Sequence, residues 1–312
     1  MDYKTLIEEA HNRIKPYIHK TPVMSSKLIN EVAGSDIVFK CENFQRMGAF
    51  KMRGATNAIL QLSEEEKSKG VVTHSSGNMA QAVALAAKSL DIPAYIVMPE
   101  NAPKVKVAAV KDYGGQITFC ESTIEARTST ANEIIKERGS SFIHPFNDHN
   151  VVFGQATAAK ELLEEHPNLE IIVAPVGGGG LASGSALTAH FFGHNCICIG
   201  AEPELVDDAF RSLSSGSIQK NDRIDTIADG LRTNLGPITF EYLSEYLEKI
   251  ITVTEDEIIH AMKLIWERMK IIVEPSCAVP LAAVLKSPED FNGKKIGIIL
   301  SGGNVDLNQL PF

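Results

Sequence analysis

The chain has 312 residues, 44% hydrophobic and 22% charged, enough to build one large or two medium domains around a sizeable core and unlike a disordered composition. A net charge of −9 argues against a nucleic-acid backbone as partner, though not against a small anion, because local fields decide that. No apolar run approaches the ~20 residues of a membrane span, the Met1-Asp2-Tyr3-Lys4 start lacks a secretory apolar region, and the cysteines 41, 120, 196, 198 and 277 form no CxxC pair, so a cytoplasmic protein with reduced thiols and no zinc site is expected.

The first clear strand signal covers residues 37–41. After it, Gly48-Ala49-Phe50-Lys51-Met52-Arg53-Gly54-Ala55 opens an Ala-rich helical stretch. A lysine between a small-residue turn and a helix can meet a carbonyl ligand and, as the neutral amine, form a Schiff base. A solvated surface charge is the competing reading of the same residues. The next strand, 71–74, runs through His74-Ser75-Ser76-Gly77-Asn78-Met79 into a helix over 79–90. Backbone amides in that turn can bind a carboxylate. Ser76 can exchange a proton with a carbon within hydrogen-bond reach, and Asn78 can donate to a phenolate-like oxygen. An ordinary serine N-cap is the alternative.

Strands over 94–98 and 116–119 alternate with helices over 104–113 and 124–136. The latter carries Arg127, which reads either as a substrate contact made on closure or as an exposed salt-bridge partner. His144-Pro145-Phe146-Asn147 leads to a helix over 152–165 and a strand over 171–175. Then comes Val176-Gly177-Gly178-Gly179-Gly180-Leu181, followed by a helical 182–192. Four consecutive glycines let backbone N–H groups converge on one anion at a helix start. No Gly-Lys-Ser/Thr follows, so the loop is not a nucleotide P-loop. A flexible loop is the other reading, at an entropic cost that a ligand would justify.

The strand over 196–201 turns Cys196 and Cys198 to one side. Glu202-Pro203-Glu204-Leu205-Val206-Asp207-Asp208 then puts acids at a helix start, where the dipole favours them. A strand over 250–253 precedes a helix over 255–270 with a Thr254/Glu257 capping box. Glu274-Pro275-Ser276 opens another helix. The last strand, 295–300, ends on Ser301-Gly302-Gly303-Asn304. A serine there can hydrogen-bond a ring nitrogen without protonating it, which leaves the ring a weaker electron sink than an aspartate would. Strand–helix alternation implies a mainly parallel sheet covered on both faces. The units between about 70 and 147 read as an insertion, with the site in the cleft at the strands' carboxyl ends. An imine-forming lysine, a phosphate cup, a carboxylate-binding turn and a ring-nitrogen partner describe the parts of pyridoxal 5′-phosphate and an amino acid.

In this ordered set of segments the chain resembles, over nearly its whole length, the fold-type II pyridoxal-phosphate enzymes of the serine racemase and serine/threonine dehydratase group. The resemblance implies a tryptophan synthase β-like α/β fold of two open twisted domains, a large one from 1–69 and 148–312 and a small mobile one from 70–147. It implies Lys51 as the Schiff-base lysine and Phe50 beside the cofactor ring. Gly177, Gly178, Gly179, Gly180 and Leu181 would hold the phosphate, Asn78 the phenolic oxygen, Ser301 the ring nitrogen, and Asn147 would take a further cofactor-side place. Ser75, Ser76, Gly77, Asn78, Met79 and Arg127 would meet the substrate.

The Ser-Ser-Gly-Asn turn is similar to the racemase type rather than the Ser-Ala-Gly-Asn of threonine dehydratases, which makes Ser76 the acid–base group on the face opposite Lys51. Glu202, Val206 (through its carbonyl) and Asp208 match the family's divalent-metal site, for Mg²⁺ with Ca²⁺ or Mn²⁺ as alternatives. Two positions depart from the family: Ala49 stands for a usual serine and Met79 for a usual histidine. The expected function is racemisation of serine with dehydration of serine or threonine to a keto acid and ammonia, in a homodimer with no regulatory domain after Phe312. The alternatives are an ammonia-lyase for L-threo-3-hydroxyaspartate or L-threonine, and a catalytically silent amino-acid-binding homologue.

Overall fold

The computed structural model describes residues 2–312. In chain order its elements are α1 (Tyr3–Ile14), β1 (Val23–Ser25), α2 (Lys27–Ala33), β2 (Asp36–Cys41), α3 (Lys51–Leu60), α4 (Glu64–Lys69), β3 (Val71–His74), α5 (Asn78–Lys88), β4 (Ala94–Pro99), α6 (Lys104–Asp112), β5 (Gln116–Cys120) and α7 (Ile124–Arg138). There follow β6 (Ser141–Phe142), α8 (His149–Glu165), β7 (Ile171–Pro175), α9 (Gly180–Phe192), β8 (Ile197–Pro203), α10 (Asp208–Ser215), α11 (Pro237–Tyr246), β9 (Lys249–Val253), α12 (Glu255–Met269), α13 (Pro275–Lys286), α14 (Pro288–Phe291) and β10 (Lys295–Leu300).

Two sheets form. The six-stranded sheet has the order β1-β2-β10-β7-β8-β9 and the four-stranded sheet β5-β4-β3-β6. All pairings are parallel except β1 with β2. The apolar runs explain this. β7 is buried at every residue and β10 at all but its first, as parallel strands covered by helices on both faces must be. The helices carry the complementary faces: Ile258, Ala261, Met262 and Ile265 of α12, at helical spacing, join Ile298 and Leu300 of β10 in one core. A second core gathers Val83, Ala84 and Ala87 of α5 with Ile96 and Met98 of β4 under the smaller sheet. No helix among the described residues is long and apolar enough to cross a membrane.

The parallel order puts the carboxyl ends of β2, β3, β7 and β10 just ahead of four connections. These carry Lys51, the Ser75–Gly77 turn, the glycine loop and Ser301, so distant stretches of chain meet where an open α/β sheet usually binds its ligand.

Candidate active site

Lys51 is the first residue of α3, and the chain just before it is tied to the end of β10. The Phe50 amide donates to the Ser301 carbonyl at 3.0 Å, Gly303 N donates to Gly48 O at 2.9 Å, and Ala49 bridges Gly302. Ala49, where the family resemblance implies a serine, is fully buried in the smaller core. Lys51 Nζ donates to the Pro145 carbonyl at 2.7 Å and lies 5.1 Å from the Phe50 ring centroid. Burial brings its pKa down to about 8, against an opposing pull from the Glu274 charge. The surface-charge reading of Lys51 therefore fails, and the side chain is an amine poised near neutrality.

The glycine loop is buried throughout, so it is a packed segment rather than a flexible one. A Cβ on Gly178 would lie 2.3 Å from the Phe146 ring, and one on Gly177 would lie 2.8 Å from the Leu231 backbone. Gly179 has φ +86°, a left-handed conformation. It caps α9 without any side-chain hydrogen bond, which leaves the helix's first N–H groups for an anion.

In the β3–α5 turn, Gly77 N donates to Ser75 Oγ at 3.2 Å. Ser75 thus serves the turn, while Ser76 is half-buried and the start of α5 has no side-chain cap. The N-cap reading of Ser76 is thereby corrected: Gly77 is the N-cap residue. Met79 is 2% exposed and packs in the smaller core, which accounts for an apolar residue at this position. Asn78 holds a network that reaches from the smaller sheet's helix to the larger sheet. Its Nδ2 donates to Glu274 Oε1 at 2.9 Å, and its Oδ1 accepts from Asn304 Nδ2 at 2.9 Å. Asn304 also donates to the Met47 carbonyl at 2.8 Å. Glu274, read from sequence alongside an exposed salt-bridge alternative, is 4% exposed. Burial, with the nearby Asp229 charge, pushes its carboxyl up to about 7.

Ser301 is 2% exposed directly after β10. Asn147 Oδ1 accepts from Ile238 N at 2.8 Å, which engages its carbonyl oxygen in holding the start of α11. Arg127 sits in the first turn of α7. Its Nε is buried without a hydrogen-bond partner, and its charge helps hold the His74 imidazole below the usual range. Lys106 of α6 pairs with Asp229 across to the loop ahead of α11.

Glu202, at the end of β8, and Asp208, opening α10, are both fully buried. Glu202 accepts from Ala209 N at 3.1 Å and Phe210 N at 2.9 Å. Asp208 accepts from Asn221 Nδ2 at 2.6 Å and Leu235 N at 2.9 Å. Burial and the Asp208 charge raise the Glu202 carboxyl well above its usual range, and burial raises Asp208 to about 6. Val206 is buried between them in sequence. No group of three or more His, Cys, Asp or Glu side chains among the described residues could hold a metal.

The sequence marks the segments that hold Asn304 and His144 but gives these two residues no role, and it does not report a buried ionic cluster around Arg53. Asn304 meets partners 257 and 226 residues away and Arg53 reaches Glu161, 108 residues on, so no local spacing reports them. His144 bonds the Phe146 and Asn147 amides close by, contacts to backbone that leave no residue-type signature.

A family model described as pyridoxal-phosphate dependent enzyme matches residues 14–302. The chain is 53% identical over 310 residues to a serine racemase of Dictyostelium discoideum, covering 97% of this chain and 95% of that protein. It is 48% identical over 303 residues to a beta-hydroxyaspartate dehydratase of Paracoccus denitrificans, covering 97% and 96%. The crystal structure of the Dictyostelium serine racemase superposes with a TM-score of 0.93 at 52% identity, covering 97% and 98% of the two chains. With its lysine tied to the strand-end serine's segment through the Phe50–Ser301 contact and to the glycine loop through residues 145–146, the chain belongs to the pyridoxal-phosphate-dependent enzymes of fold-type II.

Proposed function

We propose that the protein racemises serine and, through the same deprotonated carbon, dehydrates serine or threonine. The observation that carries this reading is the division of labour in the β3–α5 turn, where Ser75 is spent on Gly77 N and Ser76 is left half-buried beside an uncapped helix start. The residues present fit the cofactor: a lysine amine of lowered pKa, a glycine loop at the uncapped start of α9, and the buried Ser301. Bound pyridoxal phosphate would supply an electron sink for the α-carbon. Gly177–Leu181 would hold its phosphate, Ser301 its ring nitrogen and Asn78 its phenolic oxygen, with Phe50 alongside the ring.

The protein's own work is proton handling and exclusion of water. The first amides of α5 bind the substrate carboxylate. Lys51 Nζ takes the α-proton from one face, and Ser76 Oγ returns one from the other, which inverts the centre. When the β-hydroxyl leaves as water instead, a second water releases the keto acid and ammonia. Closure of residues 70–147 over the cleft, with Arg127 brought toward the substrate, sets the ratio of the two outcomes.

Ser76→Ala is expected to lower racemisation by at least ~100-fold, the scale of one acid–base group, while pyruvate release from at least one serine enantiomer stays within about threefold. Chiral analysis beside a pyruvate assay measures both. Equal loss of the two activities would remove Ser76 from its opposite-face role. The second reading, an ammonia-lyase for L-threo-3-hydroxyaspartate or L-threonine, is favoured by the 48% identity to the Paracoccus dehydratase. A panel of D- and L-hydroxy amino acids separates it, because a lyase of that kind yields keto acid without the enantiomer.

The buried Glu202 and Asp208, neither in an ion pair among the described residues, have the donor chemistry of a hard cation. Mg²⁺, joined by the Val206 carbonyl and waters, would neutralise their repulsion and steady the 221–235 loop that Asp208 ties down. Millimolar Mg²⁺ or Ca²⁺ is expected to raise the melting temperature by about 5 °C, as saturating a native-state site does, and Asp208→Asn is expected to abolish the shift. A melting curve unmoved by Mg²⁺, Ca²⁺ and Mn²⁺ would discard the site. A cytoplasmic homodimer completes the proposal, to be checked by light scattering and by localisation of a tagged chain.

A further inference from the structure

The four residues His144-Pro145-Phe146-Asn147, between β6 and α8, reach in four directions. His144 Nδ1 accepts from Phe146 N at 3.2 Å and from Asn147 N at 2.8 Å. A ring nitrogen that accepts carries no proton, so the neutral ring has its hydrogen on Nε2. Burial, with the His74 and Lys51 charges, pulls the His144 pKa down to about 4, which keeps the ring neutral. The Pro145 carbonyl accepts from Lys51 Nζ at 2.7 Å. The Phe146 ring, edge-on to His144 at 4.7 Å, occupies the space where Gly178 would carry a side chain, and the Phe146 Cβ and backbone lie 3.2–3.4 Å from where a Gly180 Cβ would sit. Asn147 holds Ile238 N at the start of α11.

The backbone that makes these contacts has one internal brace, the imidazole. We propose that His144 is a positioning residue whose Nδ1 pins residues 145–147, so that the Pro145 carbonyl fixes the lysine amine while Phe146 shores up the glycine loop. The same turn would then serve both ends of the cofactor, the covalent one and the phosphate one. This inference deepens the proposed function and rests on it for the cofactor readouts.

The brace works through an acceptor atom at one place, so two variants separate it from space filling. His144→Phe keeps a ring and removes the acceptor. His144→Asn removes the ring and keeps an oxygen able to accept from amides two residues on, as in an Asx-turn. In full-length protein stripped with hydroxylamine and mixed with pyridoxal phosphate, His144→Phe is expected to bind about tenfold more weakly. Its pH midpoint for borohydride-trapped uptake at Lys51 is expected to fall by about one unit, since a lost carbonyl acceptor disfavours the ammonium. His144→Asn should stay within about twofold in affinity and keep the wild-type midpoint. Wild-type values in the phenylalanine variant, or equal damage in both variants, would overturn the proposal.

A measurement on the unmutated protein guards against a variant that fails to fold. Ring ¹⁵N shifts of His144 should report an unprotonated Nδ1 from pH 5 to 8, and a protonated Nδ1 in that range would overturn the proposal. Wild-type protein that takes up no pyridoxal phosphate would instead sink the functional reading, while the ring spectrum would still decide the role of His144 in the turn.

Discussion

Lys51→Ala is expected to abolish covalent uptake of pyridoxal phosphate and to reduce both serine racemisation and pyruvate release by at least ~10³-fold, the upper part of the range for a positioned acid–base group. The expectation rests on the state of this amine. An ordinary lysine is about 0.4% neutral at pH 8 by its reference pKa. With the pKa brought down to about 8 by burial, roughly half of Lys51 is neutral at that pH. Deprotonation favours the nucleophile, so wild-type uptake should climb as pH rises through 8 and level off above it. Mass spectrometry after borohydride reduction reads the adduct and its position. The alanine variant should remain folded, because α3 is held by its neighbours and not by the lysine, and should bind the cofactor only reversibly. An adduct elsewhere than residue 51, or an uptake midpoint near that of free lysine, would refute the assignment.

The legible part of the molecule was the part written in short local patterns. β3 and β10 fall on the residues that apolar runs mark, the glycine loop stands where β7 gives way to α9, and Lys51 opens α3. Elements too short to show a period were missed. β1 has three residues and pairs antiparallel at a sheet edge, and β6 has two. α13 was expected from its Glu274-Pro275-Ser276 start but not in extent, because it carries Pro280 inside it, against local helix propensity, and is held by packing against the larger sheet. The site was divided in the same way. Glycine and serine turns announce backbone donors, but the partners of Asn78 lie 196 and 226 residues further along. Ser301 was found because it ends a strand, whereas Asn304, three residues later, owes its place to a contact with Asn78 at the start of α5. Asn147, expected on the cofactor side, has its oxygen accepting from Ile238 N at the start of α11, a partner 91 residues on that no local pattern announces.

The same blindness to long-range partners hid Arg53, two residues beyond the lysine and fully buried. Its guanidinium donates to both oxygens of Glu42, at 2.7 and 2.8 Å, and to both oxygens of Glu161, each at 2.8 Å. Lys40 supplies a second cation to Glu161 at 2.7 Å, so the cluster is neutral overall. Removing one member strands a charge in the interior, at a cost of about 3–5 kcal/mol. Arg53→Met should therefore lower the melting temperature by about 10 °C, with Glu42→Met causing a similar loss. The double variant leaves the direct Lys40–Glu161 pair intact and neutral, so its loss should fall well short of the sum, a coupling that thermal and denaturant melts can measure. Single-variant losses below about 1 kcal/mol, or additive ones, would deny the cluster any such role. The cluster also decides where α3 begins, because Arg53 anchors that helix's first turn to Glu42, just past the end of β2, and to α8. A double variant that regains stability while turnover stays depressed would assign the buried charges to placing Lys51, since packed apolar side chains can replace their energy but not the fork geometry by which a guanidinium fixes a helix in register.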